Sequence, residues 1–275
     1  MTKRKPYPQR EKIHPGDRPR DRHTDGPRAP AGGGLWLYGH HAVLAALDNP
    51  RRRVRRMVAT AETSRTLADQ FDAARASHPI PPAEVLDRVD IDRLLPPGAV
   101  HQGLAALVEP LEAIGIEDIA RAGKAMEAAV VVVLDQVTDP HNVGAILRTA
   151  AAFGALAVVV PDRHSPDETG ALAKAASGAL ERIPLVRVVN VVRTLDELKE
   201  AGFWTAGLAA DAPATLAEQK LTGRTVLVLG AEGEGLRRLT REHCDFLVRL
   251  PMRGGMESLN VSNAAAVALY ELVRV

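Results

Sequence analysis

The sequence predicts an α/β protein whose C-terminal part is a mostly parallel sheet, and three observations carry that expectation. From Ala129 onward, short apolar runs alternate with helical stretches, as in chained βαβ units. The run Val130–Leu134 is apolar without a break, as a strand buried on both faces requires. The polar and Gly-rich segments that could carry chemistry follow such strands, where sheets of this kind place their ligands.

Residues 1–34 hold nine Lys/Arg against four Asp/Glu and end in Ala31-Gly32-Gly33-Gly34, with almost nothing apolar. Such a segment cannot bury enough surface to offset its ordering entropy, so a disordered basic tail is expected. Residues 35–110 read as a small α/β unit. Within it, His40–Leu47 is helical, Val54–Ala59 a strand and Arg65–Ala76 a second helix. Pro79, Pro81 and Pro82 interrupt the chain, Ala83–Leu95 reads as a third helix, and Gln102–Glu109 as a strand. Residues 111–128 are mixed, partly helical, and read as a linker.

Residues 129–275 form the parallel unit. After Val130–Leu134 come a helix at Asn142–Phe153, a strand at Leu156–Val160, a helix at Leu172–Gly178 and a strand at Leu185–Val189. A helix at Thr194–Ala201, strands at Trp204–Ala209 and Thr225–Leu229, and a helix at Leu236–His243 follow. The strand Phe246–Leu250 and the helix Val261–Arg274 close the chain. That last helix has almost no polar stripe, which suits burial on several sides, either against its own sheet alone or against that sheet and a second subunit.

Charge narrows the partners. The net +1 of the chain conceals a tail of +5 and a remainder of −4. Arg51, Arg52, Arg53, Arg55 and Arg56 form a second basic cluster. Both suit phosphate contacts that weaken with salt, although a solvated tail and turn have the same composition. With two Trp, three Tyr and four Phe, none clustered, reading of single strands by base stacking is disfavoured.

No apolar run approaches the roughly 18 residues of a membrane helix. The basic, Pro-rich start has no apolar core of a secretory signal, so the cytoplasm is expected. The single cysteine, Cys244, cannot close an internal disulfide and reads as a buried, inert thiol, and no Cys/His set has zinc spacing. No metal is expected.

Three loops draw attention. The first, Asp135 to Gly144, turns at Asp139-Pro140 and feeds a helix bearing Arg148. The second is Gly230-Ala231-Glu232-Gly233-Glu234-Gly235. Its glycines are spaced GxxGxG and it lacks the Lys-Ser/Thr of a P-loop, while Glu232 and Glu234 would repel phosphate; a nucleotide cradle is disfavoured. The third runs from Pro251 to Asn260. His40 and His141 lie at helix starts, where capping or packing is the commoner role, and Arg253 and Glu257 are expected to be exposed.

Taken in series, these loops resemble the three motifs of the SpoU/TrmH family of RNA ribose 2′-O-methyltransferases, within the SPOUT superfamily. The matching residues are Asp139-Pro140-His141-Asn142-Val143-Gly144 with Arg148, Leu229-Gly230-Ala231-Glu232-Gly233 with Gly235, and Leu250-Pro251-Met252 through Ser258-Leu259-Asn260-Val261-Ser262. Tyr38 to Val43 and Lys174 to Glu181 resemble further family stretches. This form, with an added N-terminal RNA-binding domain, is similar to enzymes that methylate a guanosine of 23S ribosomal RNA.

The resemblance implies a deep trefoil knot, which periodicity would have excluded because true knots are rare. It also implies a homodimer, S-adenosyl-L-methionine as methyl donor and ribosomal RNA as substrate. Gly230, Leu250, Met252 and Leu259 would hold the donor, and Asn142, Arg148, Glu232, Ser258 and Asn260 would surround the reacting ribose. Arg148 carries two readings: a general base, or a ligand for a neighbouring phosphate and the developing alkoxide. The second is preferred, since a guanidinium with a pKa above about 12 offers no acceptor. A tRNA methyltransferase of the same family is disfavoured by the extra N-terminal domain. A catalytically silent RNA-binding or ribosome-assembly protein is disfavoured by the intact polar set.

Overall fold

The computed structural model describes residues 34–254 and 258–274. The expected disordered tail falls on residues outside these, save Gly34.

The N-terminal part is a four-stranded sheet in the order β1-β4-β2-β3. Strands β1 (Leu35–Tyr38), β2 (Val54–Ala59) and β4 (Leu104–Val108) are antiparallel neighbours, and β3 (Ala83–Val85) joins β2 in parallel. Helix α1 (His40–Asp48) agrees with the sequence. The helix expected at Arg65–Ala76 is two helices, α2 (Ala61–Thr66) and α3 (Ala68–Ser77). The first starts early because the Thr60 side chain accepts from Thr63 N, and the break falls at buried Leu67, whose φ is −104°.

The helix expected at Ala83–Leu95 is a correction. Ala83–Val85 is a strand, and only α4 (Arg88–Leu94) is helical. Pro81 and Pro82 bias the chain toward extension, and the Ala83-Glu84-Val85 backbone gains ladder partners at Met57, Val58 and Ala59. Tertiary pairing outweighs the local helical pattern.

A second correction concerns the arginine cluster. Arg52 is buried, and its Nε and Nη2 donate to Glu181 at 2.7–3.1 Å while Nη1 donates to the Glu109 carbonyl at 2.8 Å. Asn49 Nδ2 donates to the same carboxylate at 2.7 Å. Arg53 and Arg55 pair with Glu109, and Arg56 with Glu84. Carboxylates remote in sequence therefore offset much of the charge that the run Arg51–Arg56 suggests.

The remainder is a seven-stranded sheet in the order β7-β6-β5-β10-β8-β11-β9, and every pairing in it is parallel. Strand β10 (Arg224–Gly230) is central, with β5 (Ala129–Asp135), β6 (Ala157–Pro161) and β7 (Leu185–Val188) on one side and β8 (Trp204–Leu208) and β11 (Phe246–Arg249) on the other. Alternation explains its double burial. Val132, Leu134, Leu227 and Leu229 face α6 (Pro140–Ala152), α7 (Gly170–Ala176) and α11 (Val261–Val273). Val131, Val133, Val226 and Val228 face α5 (Ile116–Lys124) and α8 (Val191–Glu200). A short α10 (Arg238–Glu242) precedes β11.

Among the elements that escaped the sequence reading are β9 (Ala214–Thr215) and α9 (Leu216–Gln219). Their signal is a capping box, in which Thr215 N donates to Glu218 Oε2 at 2.7 Å and Glu218 N to Thr215 Oγ1 at 3.2 Å.

The two sheets meet closely at the start of α7. A Cβ on Gly170 would lie 2.3 Å from the Tyr38 ring and 2.5 Å from the Trp36 carbonyl oxygen, so only glycine lets α7 approach β1. Lys174 in α7 also donates to Val100 O and Gln102 Oε1 of the small sheet's last loop.

Candidate active site

The first loop is anchored at its base. Asp135, the fully buried last residue of β5, accepts from Arg237 N at 3.1 Å and Arg237 Nε at 2.7 Å. This pair ties the end of β5 to the chain following β10. Sequence reasoning gave neither residue a role; the available signal was a carboxylate ending an otherwise apolar strand. Asp139 then caps α6 by accepting from His141 N at 2.9 Å, with Pro140 in the first turn. The backbone of His141 thus serves the cap, and Asn142 is set in the first turn of α6.

The second loop is closed by Ala231 and Gly235, which exchange backbone hydrogen bonds of 3.1 and 2.9 Å. A Cβ on Gly230 would lie 2.1 Å from the Gly235 carbonyl carbon and 2.3 Å from Leu236 N, so the turn requires glycine there.

The third loop leads to α11. Asn260 is its N-cap: Oδ1 accepts from Ser262 N at 2.9 Å and Asn263 N at 3.4 Å. That leaves the amide Nδ2 directed elsewhere. It donates to Glu232 Oε1 at 2.7 Å and to Asn142 Oδ1 at 3.0 Å.

The three loops therefore converge on one oxygen. Glu232 Oε1 accepts from Asn142 Nδ2 (3.1 Å), Asn260 Nδ2 (2.7 Å) and Val261 N (3.2 Å). The last donor belongs to the first turn of α11, where a negative charge is favoured. Glu232 Oε2 makes no hydrogen bond among the described residues. The result is a fixed, exposed carboxylate with one saturated oxygen and one available to accept a hydroxyl proton donor.

Arg148 and Ser258 stand outside this cluster. Arg148 is exposed on α6, six residues beyond Asn142, hence about 9 Å along the axis and roughly 120° around it. Neither makes a hydrogen bond or ion pair among the described residues, and Ser258 is exposed.

The expected donor residues border the same loops. Gly230 ends β10 and Leu250 is half-buried just after β11. Met252 and Leu259 are large apolar side chains 41% and 40% exposed. Open apolar side chains beside a glycine turn that excludes a Cβ fit a nucleoside held by backbone groups, and no His/Cys/Asp/Glu group among the described residues is arranged for a metal. Cys244 lies apart. It is half-buried, Sγ donates to Thr240 O at 3.3 Å, and burial pushes its thiol up to about 12.

Comparison with known proteins places these loops in context. Residues 129–270 match the model of the SpoU rRNA Methylase family, and residues 36–113 match that of the RNA 2'-O ribose methyltransferase substrate binding domain. The 23S rRNA (guanosine-2'-O-)-methyltransferase RlmB of Pseudomonas putida is 44% identical over 241 residues, covering 86% of this chain and 95% of that protein. The enzyme of the same name from Escherichia coli is 41% identical, covering 86% and 97%. Among solved structures, the SpoU methyltransferase AviRb from Streptomyces viridochromogenes, in complex with AdoMet, superposes with a TM-score of 0.72. It is 25% identical, with 88% of this chain and 89% of that one covered.

Proposed function

The chain belongs to the SpoU rRNA methylase family, and from that premise we propose that it methylates the ribose 2′-hydroxyl of a guanosine in 23S ribosomal RNA. One observation carries the reading: Asn142, Glu232 and Asn260, from three loops, lock one carboxylate oxygen and leave the other open. S-adenosyl-L-methionine, when bound, supplies a methyl group on a sulfonium, which transfers to an oxygen approaching in line. Gly230, Leu250, Met252 and Leu259 would hold it.

The chain's own residues orient the acceptor. Glu232 Oε2 accepts from a ribose hydroxyl, while Asn142 and Asn260 keep the carboxylate from turning away. Positioning of this kind accounts for much of the acceleration available to a direct transfer. Arg148 binds a neighbouring phosphate and stabilises the negative charge that develops on the 2′-oxygen as its proton passes to the open Glu232 Oε2. Ser258 contributes a further polar group at the ribose. Arg148→Ala is expected to abolish transfer, and Arg148→Lys to retain a pH–rate profile without a new ionisation. A new ionisation in the lysine variant would instead assign Arg148 the proton.

We further propose the substrate-binding unit at 35–110, the methyltransferase unit at 129–275 and, between them, a linking segment at 111–128 whose helix α5 packs on the large sheet. The trefoil knot rests on family membership. A homodimer is supported by α11, which packs on α6 yet leaves Val267 and Tyr270 49% and 56% exposed. Among the described residues no helix is long and apolar enough to cross a membrane, and a ribosomal substrate fits the cytoplasm.

The test is methyl transfer from labelled S-adenosylmethionine to 23S rRNA, read as 2′-O-methylguanosine after nuclease digestion. Label on a base would overturn the reading.

A further inference from the structure

At the carboxyl ends of β6 and β7 lies an open cleft of about 490 Å³. It occupies the same sheet edge on which β5 ends in Asp135 and β10 in Gly230. Arg163, His164, Arg237 and Arg238 line it, and no lining residue is acidic. The larger cleft between the two sheets differs in this respect, because Arg51, Arg182 and Arg187 there are offset by Glu112, Asp118 and Glu168.

Arg163 and His164 are exposed and make no hydrogen bond or ion pair among the described residues. Arg238 reaches only Glu242 of its own helix, in an exposed pair of little binding strength. The ten-residue helix α8 starts at the cleft. Asn190 caps it, and Val191 and Val192, whose N–H groups precede the first intrahelical bonds, are part of the lining. Thr240 also lines the cleft, and its buried hydroxyl has no partner among the described residues. Val189, 93% exposed, and Leu239, 51% exposed, add apolar surface. Arginines, the positive end of a helix whose Val191 and Val192 N–H groups lie outside the Asn190 cap, and apolar patches together suit a sugar-phosphate backbone.

Arg237 supplies continuity, since it lines this cleft and also holds Asp135 at the base of the catalytic loops. We propose that the cleft binds a backbone phosphate of the substrate RNA, on a nucleotide flanking the one that is methylated. This rests on the RNA methyltransferase reading and adds a second anchoring point remote from the reacting ribose.

The test compares the full chain with Arg163→Glu, Arg163→Lys and a control reversal, Arg121→Glu. Arg121 lies on α5, whose C-terminal Lys124 carbonyl accepts from Arg224 at the opposite, amino end of β10. Filter binding to transcribed 23S rRNA across a salt series and steady-state methylation are measured. Arg163→Glu is expected to raise Kd and KM about tenfold, lower the salt slope by about one and leave kcat unchanged. Arg163→Lys should keep most of the affinity, and donor affinity by calorimetry should be unaltered throughout.

Equal effects of Arg163→Glu and Arg121→Glu, or unchanged RNA affinity in the former, would overturn the proposal. Absence of methyl transfer by the unaltered chain would overturn the enzymatic reading instead, because the binding arm still reports on the cleft.

Discussion

In the four-stranded unit Arg52, Arg53, Arg55 and Arg56 meet their own carboxylates, whereas on the larger unit Arg148, midway along α6, and Arg163, just past the carboxyl end of β6, stand exposed without an ion pair among the described residues. The basic cluster that is densest in the sequence is thus not the freest positive charge in space. Arg52 in particular is a structural residue that connects the small sheet to Glu181 of the larger unit. Charge available to a phosphate is therefore set by what the fold brings to each arginine, not by the run in which it occurs.

The sharpest way to break this comparison is at Arg52. Arg52→Ala leaves Glu181 buried without its cation and should cost about 3–5 kcal/mol of stability in chemical denaturation. The double variant Arg52→Met with Glu181→Leu should recover most of that. A small loss in the single variant would return Arg52 to the surface cluster. At the other sheet, Glu232→Ala should lower kcat roughly 10²–10³-fold, the scale of removing one fixed polar group from a reacting centre, with little change in melting temperature.

Gly230→Ala tests the loop itself. Its Cβ would collide with Gly235 and Leu236, and overpacking of that kind costs about 1–3 kcal/mol; calorimetry should show weaker donor binding as well. Arg53→Ala sharpens the contrast from below. Arg53 is mostly exposed and 3.7 Å from Glu109, so stability should change by less than about 0.5 kcal/mol. The smallest effect belongs to Cys244, whose thiolate is scarce at neutral pH with the thiol pushed up to about 12. Thiol reagents should label it slowly in the folded chain and readily once unfolded.

Much of the large sheet was legible because its physical signal is local. A strand buried on both faces must be apolar along its buried length, and Val130–Leu134 of β5, Ala157–Val160 of β6 and Val226–Leu229 of β10 are. The small unit was harder to read. The pattern of Ala83–Leu95 is compatible with a helix, and only the ladder to Met57–Ala59 makes its first residues a strand. The Thr215–Glu218 capping box was present in the sequence but too short to stand out.

The site divides in the same manner. The three loops could be located as strand ends, but spacing carries no information that Asn142, Glu232 and Asn260 share one oxygen across separations of 28 to 118 residues. The Asp135–Arg237 anchor, at a separation of 102, was likewise invisible to local pattern. The family resemblance grouped Asn142, Glu232 and Asn260 around one ribose but offered neither their shared oxygen nor the Asp135–Arg237 anchor.

The central claim is methylation of a ribose in 23S RNA by this edge of the large sheet. It is tested most directly by incubating the full chain with labelled S-adenosylmethionine and 23S rRNA from cells lacking the enzyme, then mapping the label. A single 2′-O-methylated guanosine is expected, lost with Glu232→Ala. Label on a base, or none above background while the donor binds, would contradict it.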